Sequence, residues 1–541
     1  MILQPGIMAG FFCVQNHLIP ASDRFRRQNP LLMNRDGAKQ SIWQTEPDFT
    51  PSNNWNKAET YDVLVVGAGI TGLTTALLLQ EKGQRVIIAE GHNVGWGTSG
   101  GTTSHINTVL DNPYSNIEKD FGEDAARLVH ACCREAIDLV AGLCSRYNID
   151  ADFSYRPGYL FSETPEEESV VEDFKESSER VGVVVNWTDH IPVPVPFTKA
   201  IRYELQAQIH ASRYLLGLAR AFESLGGVIL QSCPVGEVAG STPLEAETTL
   251  GTILANKIVW ATHIPPGINL LHFRNAPYRS YVMAVRLSDE SQYPDALVYD
   301  AKDPYHYYRT QEINGQKYLV AGGNDHKTGH EPNTDQVFRE LEAYLRKYFS
   351  ISSVDFSWSS QYYEPADGLP YIGLLPGHSH QYCATGFSGN GITLGSFSSS
   401  LLCDIILECP QPYQELFSPS RIKPIAGFME FIKENADVVK EFIGKRFAYD
   451  SIKELAEIAP GEGRVVSYDG KKLAVYKDDS GLIHAVSPVC THAKCIVGWN
   501  GAERTWDCPC HGARYAPNGT VITGPARHAL ELVQWKSLEG D

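Results

Sequence analysis

Two short motifs near the C-terminus constrain the fold of this chain more than any other feature. The pattern C-x-H occupies 490–492, and C-x-x-H occupies 508–511. One cysteine and one histidine from each of two loops can give two thiolates to one iron and two imidazoles to a second iron. Zinc also binds two of each type, but zinc fingers usually place the cysteine pair before the histidine pair. The mixed order favours a [2Fe–2S] centre, and the predicted ligands are Cys490, His492, Cys508 and His511.

The residues around these ligands resemble the Rieske proteins of respiratory complexes. Cys495 and Cys510 match the loop-bridging disulfide of that type, so the resemblance implies this disulfide and a small all-β domain. Respiratory Rieske proteins often carry a serine that hydrogen-bonds a cluster sulfur, and here that position is Ala513, whereas Tyr515 is retained. Because hydrogen bonds to the sulfurs tune the reduction potential, we expect a potential below that of respiratory Rieske centres.

A second motif lies in the N-terminal part of the chain, where 67–72 reads G-x-G-x-x-G. A β-branched apolar run at 61–66 precedes it, helical spacing over 70–82 follows it, and a second strand at 85–89 leads into Glu90. In a βαβ unit these glycines let the backbone approach a pyrophosphate at the helix N-terminus, and the acidic residue accepts hydrogen bonds from a ribose. The pattern predicts a dinucleotide cofactor, either FAD or NAD.

Two further segments favour FAD over NAD. A stretch rich in glycine and threonine at 95–105 follows the Glu90 strand, and 384–393 reads as a strand, a turn and a helix start. The amides and positive dipole end of a helix N-terminus suit the electron-rich pyrimidine edge of a reduced flavin. A second dinucleotide fingerprint is missing from the sequence, so we do not expect NAD(P)H as the electron donor.

With these segments and the motif at 367–373, residues 40–425 resemble the glycine/D-amino-acid oxidase (DAO) superfamily of FAD enzymes. The resemblance implies a Rossmann-like α/β FAD-binding domain of the glutathione-reductase type, with an interleaved antiparallel-sheet substrate domain. It also implies hydride transfer to the flavin from a carbon next to nitrogen, giving an imine that hydrolyses. The FAD-binding residues it implies, including the backbone of Val235 at the adenine, are Gly67, Gly69, Ile70, Thr71, Gly72, Glu90, Gly97, Thr98, Thr102, Thr103, Val235, Ala261, Thr262, Gly386, Gly389, Asn390, Gly391, Ile392 and Thr393.

The substrate end departs from the family pattern. Amino-acid oxidases often carry Arg-Pro shortly before Asp-Gly-Leu-Pro, and the arginine binds the substrate carboxylate; here Tyr362 and Tyr363 stand there. Either Arg279 or Arg309 replaces that bidentate clamp, or the substrate is an amine without an α-carboxylate bound in an aromatic pocket. Cross-strand packing explains each tyrosine equally well. No side chain is assigned as catalytic, and the pocket candidates are Arg279, Tyr281, Tyr307, Arg309 and Tyr362, with Tyr305 and Tyr308 as further aromatic residues.

The predicted domain organisation has four parts. We interpret 1–39 as an N-terminal extension, with disorder and a later translation start both open. The oxidoreductase occupies 40–425, a connecting amphipathic helix 426–446, and an all-β Rieske domain 447–541. Within the oxidoreductase, FAD-binding segments are predicted at about 60–110, 200–265 and 355–425, and substrate-domain segments at about 150–200 and 270–350.

Charge and composition limit the partners. A net charge of −18 argues against a nucleic-acid binder and against docking on an anionic membrane. Apolar runs stay below the roughly 18 residues of a membrane span. The cysteines outside the cluster motifs show no disulfide spacing, which predicts reduced thiols and a cytoplasmic protein.

The sequence therefore predicts an FAD-dependent amine or amino-acid dehydrogenase that passes single electrons through the Rieske cluster to an acceptor, possibly a protein, is not ruled by these motifs alone. Two alternatives stay open. In one, oxygen is the direct acceptor and the cluster is structural. In the other, the chain is an electron-transfer module between protein partners.

Overall fold

The structure is a computed structural model that describes residues 35–421, 457–468 and 470–533. The predicted connecting helix at 426–446 lies outside the described residues, as do residues 1–34 of the predicted extension. The helices of the described part are α1 Ile70–Glu81, α2 Tyr114–Phe121, α3 Glu123–Arg146, α4 Glu168–Val181, α5 Ala211–Ser224, α6 Thr334–Tyr348, α7 Gly391–Ile406 and α8 Gln414–Phe417.

Strands make up three regions of the chain. Those of the first 300 residues are β1 Thr60–Val66, β2 Val86–Ala89, β3 His105–Ile106, β4 Ser154–Ser162, β5 Val185–Thr188, β6 Lys199–Gln208, β7 Val228–Leu230, β8 Val235–Gly240, β9 Leu244–Thr248, β10 Gly251–Trp260, β11 Asn275–Leu287 and β12 Leu297–Asp300. The others are β13 Tyr307–Ile313, β14 Gln316–Lys327, β15 Ile351–Pro365, β16 Tyr371–Leu374, β17 Gln381–Thr385, β18 Gly463–Tyr468, β19 Lys471–Lys477, β20 Ile483–Val486, β21 Gly498–Asn500, β22 Thr505–Asp507, β23 Arg514–Tyr515 and β24 Val521–Thr523.

The first sheet is the predicted dinucleotide-binding sheet. Its order is β16-β17-β10-β1-β2-β7, with β9 and β8 added beside β10. β1 pairs in parallel with both β2 and β10, and their apolar residues are buried. α1 follows β1 directly and packs against α5 and α7, which is why almost all of its residues are buried. Burial on both faces explains the continuous apolar runs of these strands.

The second sheet forms the substrate domain. Its order is β15-β11-β14-β13-β12-β4-β6-β3, with β5 added beside β6, and most of its pairs are antiparallel. Side chains alternate between its two faces. Tyr281 and Tyr308 belong to the core that also contains Phe338 of α6, whereas Tyr307 belongs to a different core with Trp358.

The C-terminal part is all-β, with a three-stranded sheet β18-β19-β20 and a four-stranded sheet β21-β22-β23-β24. The cluster loops lie before β21 and between β22 and β23. These results confirm the predicted fold class: an α/β FAD-type domain, an interleaved antiparallel sheet and a small all-β C-terminal domain.

Two local predictions differ from the structure. The helical pattern over 117–146 is split into α2 and α3, because Gly122 adopts φ 94° and interrupts the helix. Residues 35–39 were assigned to the extension, but Arg35 and Asp36 are each only 1% exposed. Their charges are paired in the folded protein, which a search for apolar periodicity does not detect. Among the described residues, no helix combines the length and apolar character needed to cross a bilayer.

Candidate functional site

The glycine motif forms a close-packed cradle at the start of α1. Gly67 adopts φ 104°, and a Cβ there would lie 2.6 Å from the carbonyl oxygen of Ala261. A Cβ on Gly72 would lie 1.9 Å from the carbonyl oxygen of Gly67. The N-cap residue Gly69 offers no side chain to the first turn, so the helix N-terminus is open to an anion. This backbone fits a pyrophosphate.

Glu90 lies beside the cradle, as predicted. One carboxylate oxygen accepts a hydrogen bond from the amide of Ala68 at 2.7 Å, and the other accepts one from the amide of His92 at 2.8 Å. Burial raises the pKa of Glu90, although these two amides act in the opposite direction. The remaining lone pairs can accept ribose hydroxyls.

The C-terminal turn meets the N-terminal segments at the start of α7. The amide of Asn107 donates to Thr393 Oγ1 at 3.0 Å, which joins the turn to the chain that follows Thr98–Thr103. Asn390 is buried, and its Nδ2 has no hydrogen-bond partner within the described protein. A buried amide without a partner is costly. A ligand at this turn would supply the missing acceptor, so these residues fit the flavin.

The other predicted FAD segments converge on the same region. The amide of Ala261 donates to the Val66 carbonyl at 2.9 Å, so β10 ends beside the cradle. Thr98 Oγ1 lies 3.3 Å from His263 Nδ1, two residues after Ala261. Val235 begins β8 and lies at the edge of this sheet. Three distant parts of the sequence therefore meet around one candidate FAD site.

Next to the turn lies an acidic chamber, which we define by Asp111, Asp325 and Glu364. Asp111 Oδ2 accepts a hydrogen bond from the amide of Gly389 at 3.0 Å, so the chamber reaches the predicted flavin turn. Tyr362 donates to Asp325 Oδ2 at 2.9 Å. The carboxylates interact electrostatically with one another, and the surrounding rings belong to tyrosines: Tyr299, Tyr305, Tyr307 and Tyr362.

The chamber carboxylates hold protons more tightly than usual. Burial raises the pKa of Asp325 to about 7, the charge of Asp111 adds to this, and hydrogen bonds from Ser280 and Tyr362 oppose it. Burial raises the pKa of Glu364 to about 7, and Asp111 and Asp325 reinforce the shift. Near neutral pH these groups exchange protons readily, and a cation entering the chamber would favour their charged forms.

The substrate-pocket candidates divide into two groups. Tyr307 and Tyr362 border the chamber. Tyr281 instead hydrogen-bonds His326 at 2.9 Å and packs on Phe338, because its place on β11 directs it to the face covered by α6. That position does not support the predicted role for Tyr281 in the pocket.

The two arginine candidates are engaged elsewhere. Arg309 Nη1 donates to the backbone carbonyls of Thr103, Ser104 and Ile209. Arg279 Nη1 donates to Ser359 Oγ at 2.6 Å, and its Nη2 lies 3.8 Å from Asp507 of the C-terminal domain. Neither arrangement presents a carboxylate clamp to the chamber.

The four predicted cluster ligands lie together in the C-terminal domain. Cys490 and Cys508 are fully buried, and the rings of His492 and His511 have centroids 5.0 Å apart. The Nδ1 atoms of both histidines are buried and lack hydrogen-bond partners in the described protein. Two unpaired imidazole nitrogens beside two buried thiols fit a [2Fe–2S] cluster with one iron bound by nitrogen and the other by sulfur.

Two features stabilise the cluster loops. A disulfide joins Cys495 and Cys510, with an S–S distance of 2.05 Å, and this confirms the predicted pair. Tyr515 is buried, and its hydroxyl lies 3.1 Å from Cys490 Sγ. Cys508 Sγ also lies within 4.8 Å of both disulfide sulfurs, but those sulfurs are bonded to each other and do not form a second metal site.

The C-terminal domain docks on the oxidoreductase through its cluster loops. His492 Nε2 lies 3.1 Å from both the Gly267 carbonyl and His272 Nδ1. Tyr363 donates to the His511 carbonyl at 3.1 Å, and Gln361 donates to that of Gly512 at 3.0 Å. Both ligand histidines are consequently buried, at 9% and 4% exposure.

Buried charges hold the two domains together. Arg514 pairs with Asp36 at 3.1 Å and with Asp507 at 3.2 Å, and Glu503 accepts hydrogen bonds from the amide and hydroxyl of Ser359. Burial raises the pKa of Asp507, but Arg514 and Arg279 outweigh burial and leave it below its usual value. Because buried charges need partners, this network fixes how the domains meet.

Sequence reasoning missed both the acidic chamber and the docking network. Glu364 directly follows Tyr362 and Tyr363, and Asp325 follows two glycines on β14, so their proximity to known motifs was an available signal. Asp111 and the docking charges gave no comparable signal, because they become neighbours only through long-range pairing.

Comparisons with known proteins agree with this geometry. Residues 62–405 match the family described as FAD dependent oxidoreductase (DAO), and residues 449–535 match the Rieske [2Fe-2S] domain. YhfW of Bacillus subtilis (strain 168), named as a Rieske 2Fe-2S iron-sulfur protein, is 30% identical over 500 residues, covering 92% of this chain and 98% of its own.

Two further relatives cover the oxidoreductase. Gamma-glutamylputrescine oxidoreductase of Escherichia coli (strain K12) is 27% identical over 376 residues, covering 66% of this chain and 86% of its own. The crystal structure of glycine oxidase from Geobacillus kaustophilus superposes with a TM-score of 0.57 at 19% identity, covering 67% of this chain and 99% of that one. The latter likeness concerns the fold.

Proposed function

Because this chain belongs to the DAO family of FAD-dependent oxidoreductases and carries a Rieske [2Fe-2S] domain, we propose that it is an amine dehydrogenase. Its substrate would be a small cationic amine, oxidised at a C–N bond. The electrons would leave singly through the cluster to an external one-electron acceptor. The observation that carries this proposal is the acidic, tyrosine-lined chamber beside Gly389.

The charge of the chamber supports an amine in place of a simple amino acid. Asp111, Asp325 and Glu364 would repel a substrate carboxylate, and both candidate arginines are bound to other groups. An ammonium group would pair with the carboxylates and contact the faces of the tyrosine rings. The relative named for gamma-glutamylputrescine, itself an amine, is consistent with this substrate class.

Asp325 is suited to remove the proton that blocks oxidation. Hydride leaves a carbon next to nitrogen most readily when that nitrogen is neutral, so the ammonium first has to lose a proton. A carboxylate with a pKa of about 7 can accept it near neutral pH, and Tyr362 holds that carboxylate in place. The amine would then lose a hydride, and water would hydrolyse the imine.

The two cofactors divide the redox work. FAD, held by the cradle and the C-terminal turn, would accept the hydride, and the Rieske cluster passes one electron at a time. One amine yields two electrons, so the external acceptor would be reduced twice per turnover. Burial of His492 and His511 against the oxidoreductase supports electron entry from that side.

Anaerobic mixing with a panel of amines and amino acids would test the proposal. We expect cationic amines to bleach the flavin and amino acids to do so poorly. Asp325→Asn should lose most of this bleaching, whereas the matched variant Asp355→Asn, at a surface pair with Arg286, should keep it. Bleaching by amino acids alone would contradict the proposed substrate class.

The acceptor needs a separate experiment. With oxygen as the direct acceptor and a structural cluster, Cys508→Ser would form peroxide at an undiminished rate. Our proposal expects this variant to reduce an external one-electron acceptor much more slowly, while flavin bleaching continues. We also propose a cytoplasmic location, because the described cysteines outside the cluster loops are free thiols, most of them buried.

A further inference from the structure

Tyr363 contacts both candidate redox sites. Its carbonyl accepts a hydrogen bond from the amide of Ser388 at 3.0 Å, inside the predicted flavin turn. Its hydroxyl donates to the carbonyl of the cluster ligand His511 at 3.1 Å. Its ring meets the edge of His263, with centroids 4.7 Å apart and planes at 76°. One buried side chain thus spans the distance between the two regions.

The flavin side of this contact is fixed by several bonds. His263 follows Ala261 and Thr262, and its Nδ1 lies 3.3 Å from Thr98 Oγ1. Thr385 Oγ1 donates to the His263 carbonyl at 2.6 Å. The residue adopts φ 70°, an uncommon conformation for a side chain other than glycine, and such conformations persist where the surroundings enforce them.

The cluster side is packed equally closely. A Cβ on Gly512 would lie 2.7 Å from Gln361 Nε2, 2.8 Å from Pro277 Cβ and 2.9 Å from the Tyr363 hydroxyl. Only glycine lets the ligand loop approach β15 to this distance. The adjacent bond from Gln361 to the Gly512 carbonyl holds that approach.

A second contact exists at the other ligand histidine. His272 Nδ1 lies 3.1 Å from His492 Nε2, and its own Nε2 lies 2.8 Å from the Pro265 carbonyl. This histidine sits in a surface loop whose Ile268 is 76% exposed. Tyr363, in contrast, bonds directly to a predicted flavin segment, so the first contact joins the two sites more directly.

We propose that Tyr363 is the positioning residue of electron transfer between the cofactors, with the path running from His263 through the Tyr363 ring and hydroxyl to His511. This inference rests on the proposed function. Each amine would send two electrons along this path, one at a time, and the external one-electron acceptor would take both from the cluster.

Flash photoreduction of the flavin in the complete protein, with EDTA as electron donor, would test the path without an amine. We expect a fast phase of cluster reduction in the unchanged protein, a slower one in Tyr363→Phe and its loss in Tyr363→Leu. Flavin content, the electron paramagnetic resonance spectrum and the cluster potential should stay unchanged. Tyr318→Leu, at a surface ring on the same sheet, is the matched control.

The outcomes separate the proposals. An unchanged fast phase in Tyr363→Phe overturns the path even if Tyr363→Leu fails to fold, because the phenylalanine variant removes one hydroxyl. Loss of the fast phase in His272→Leu with no effect in Tyr363→Phe also overturns it and assigns the transfer to the other histidine. Photoreduction that succeeds while every amine fails to bleach the flavin contradicts the proposed substrate and leaves this path supported.

Discussion

Replacing Tyr515 by phenylalanine should lower the reduction potential of the cluster. The Tyr515 hydroxyl lies 3.1 Å from Cys490 Sγ, and Thr491 donates its amide to the same oxygen at 3.2 Å. Burial raises the pKa of this tyrosine, so it remains a proton donor at every pH at which the protein is studied. The substitution removes this donor while the ring stays in place.

The size of the effect follows from the charge of the two redox states. Reduction adds one negative charge, so the donor stabilises the reduced state more than the oxidised state. Since hydrogen bonds to charged groups contribute about 1.5–3 kcal/mol, we take the difference between the two states as about 1–2 kcal/mol. At about 59 mV per 1.4 kcal/mol for a one-electron couple, the expected drop is about 40–80 mV.

A redox titration of the complete protein, followed by electron paramagnetic resonance, would measure this drop. Tyr476→Phe is the matched control, because it removes another buried tyrosine hydroxyl from the same domain. An unchanged or raised potential in Tyr515→Phe, with the cluster intact, would refute the reasoning. Ala513→Ser should shift the potential upward if the added hydroxyl reaches a cluster sulfur.

Three further predictions concern the substrate, the interface and the disulfide. For amine oxidation, kcat/KM should rise as pH increases through about 7, because Asp325 becomes able to accept a proton, and Asp325→Asn should lose this rise in a pH-rate profile. Arg514→Met should lower the free energy of unfolding by about 3–5 kcal/mol in a urea titration, since Asp36 and Asp507 lose a buried partner. Removing the disulfide with Cys495→Ala and Cys510→Ala should cost about 3 kcal/mol for a loop of this length, measured from cluster absorbance during urea unfolding.

Controls keep these three results interpretable. Asp355→Asn should leave the pH profile unchanged. Arg504→Met breaks an exposed pair with Asp479 and should cost at most about 1 kcal/mol, so an equal loss from Arg514→Met would contradict the role of burial. A double alanine variant with unchanged urea sensitivity would show that the cluster itself, and not the disulfide, stabilises the loops.

The sequence predicted those features that depend on local spacing. The cluster motifs, the glycine turn and the disulfide pair each occupy short segments, and their chemistry requires those residues at those distances. The strand before Gly67 and the helix after it could be predicted because apolar runs and glycines are local signals.

Features that depend on long-range pairing could not be predicted. Alternation on β11 and β13 decides which tyrosines face the chamber, so Tyr307 lies beside it and Tyr281 does not, although both were candidates. Arg279 and Arg309 resembled substrate ligands until the partners of their guanidinium groups were known. Similarly, Asp36 gains a role only because Arg514 lies against it.

The docked domain also has a consequence for how the protein matures. Asp36 and Arg514 are 478 positions apart, and contacts of such separation form late because a long loop has to close first. Once they form, His492 and His511 are covered. Iron and sulfide therefore have to be inserted before the C-terminal domain settles on the oxidoreductase, or the domain has to lift away to admit them.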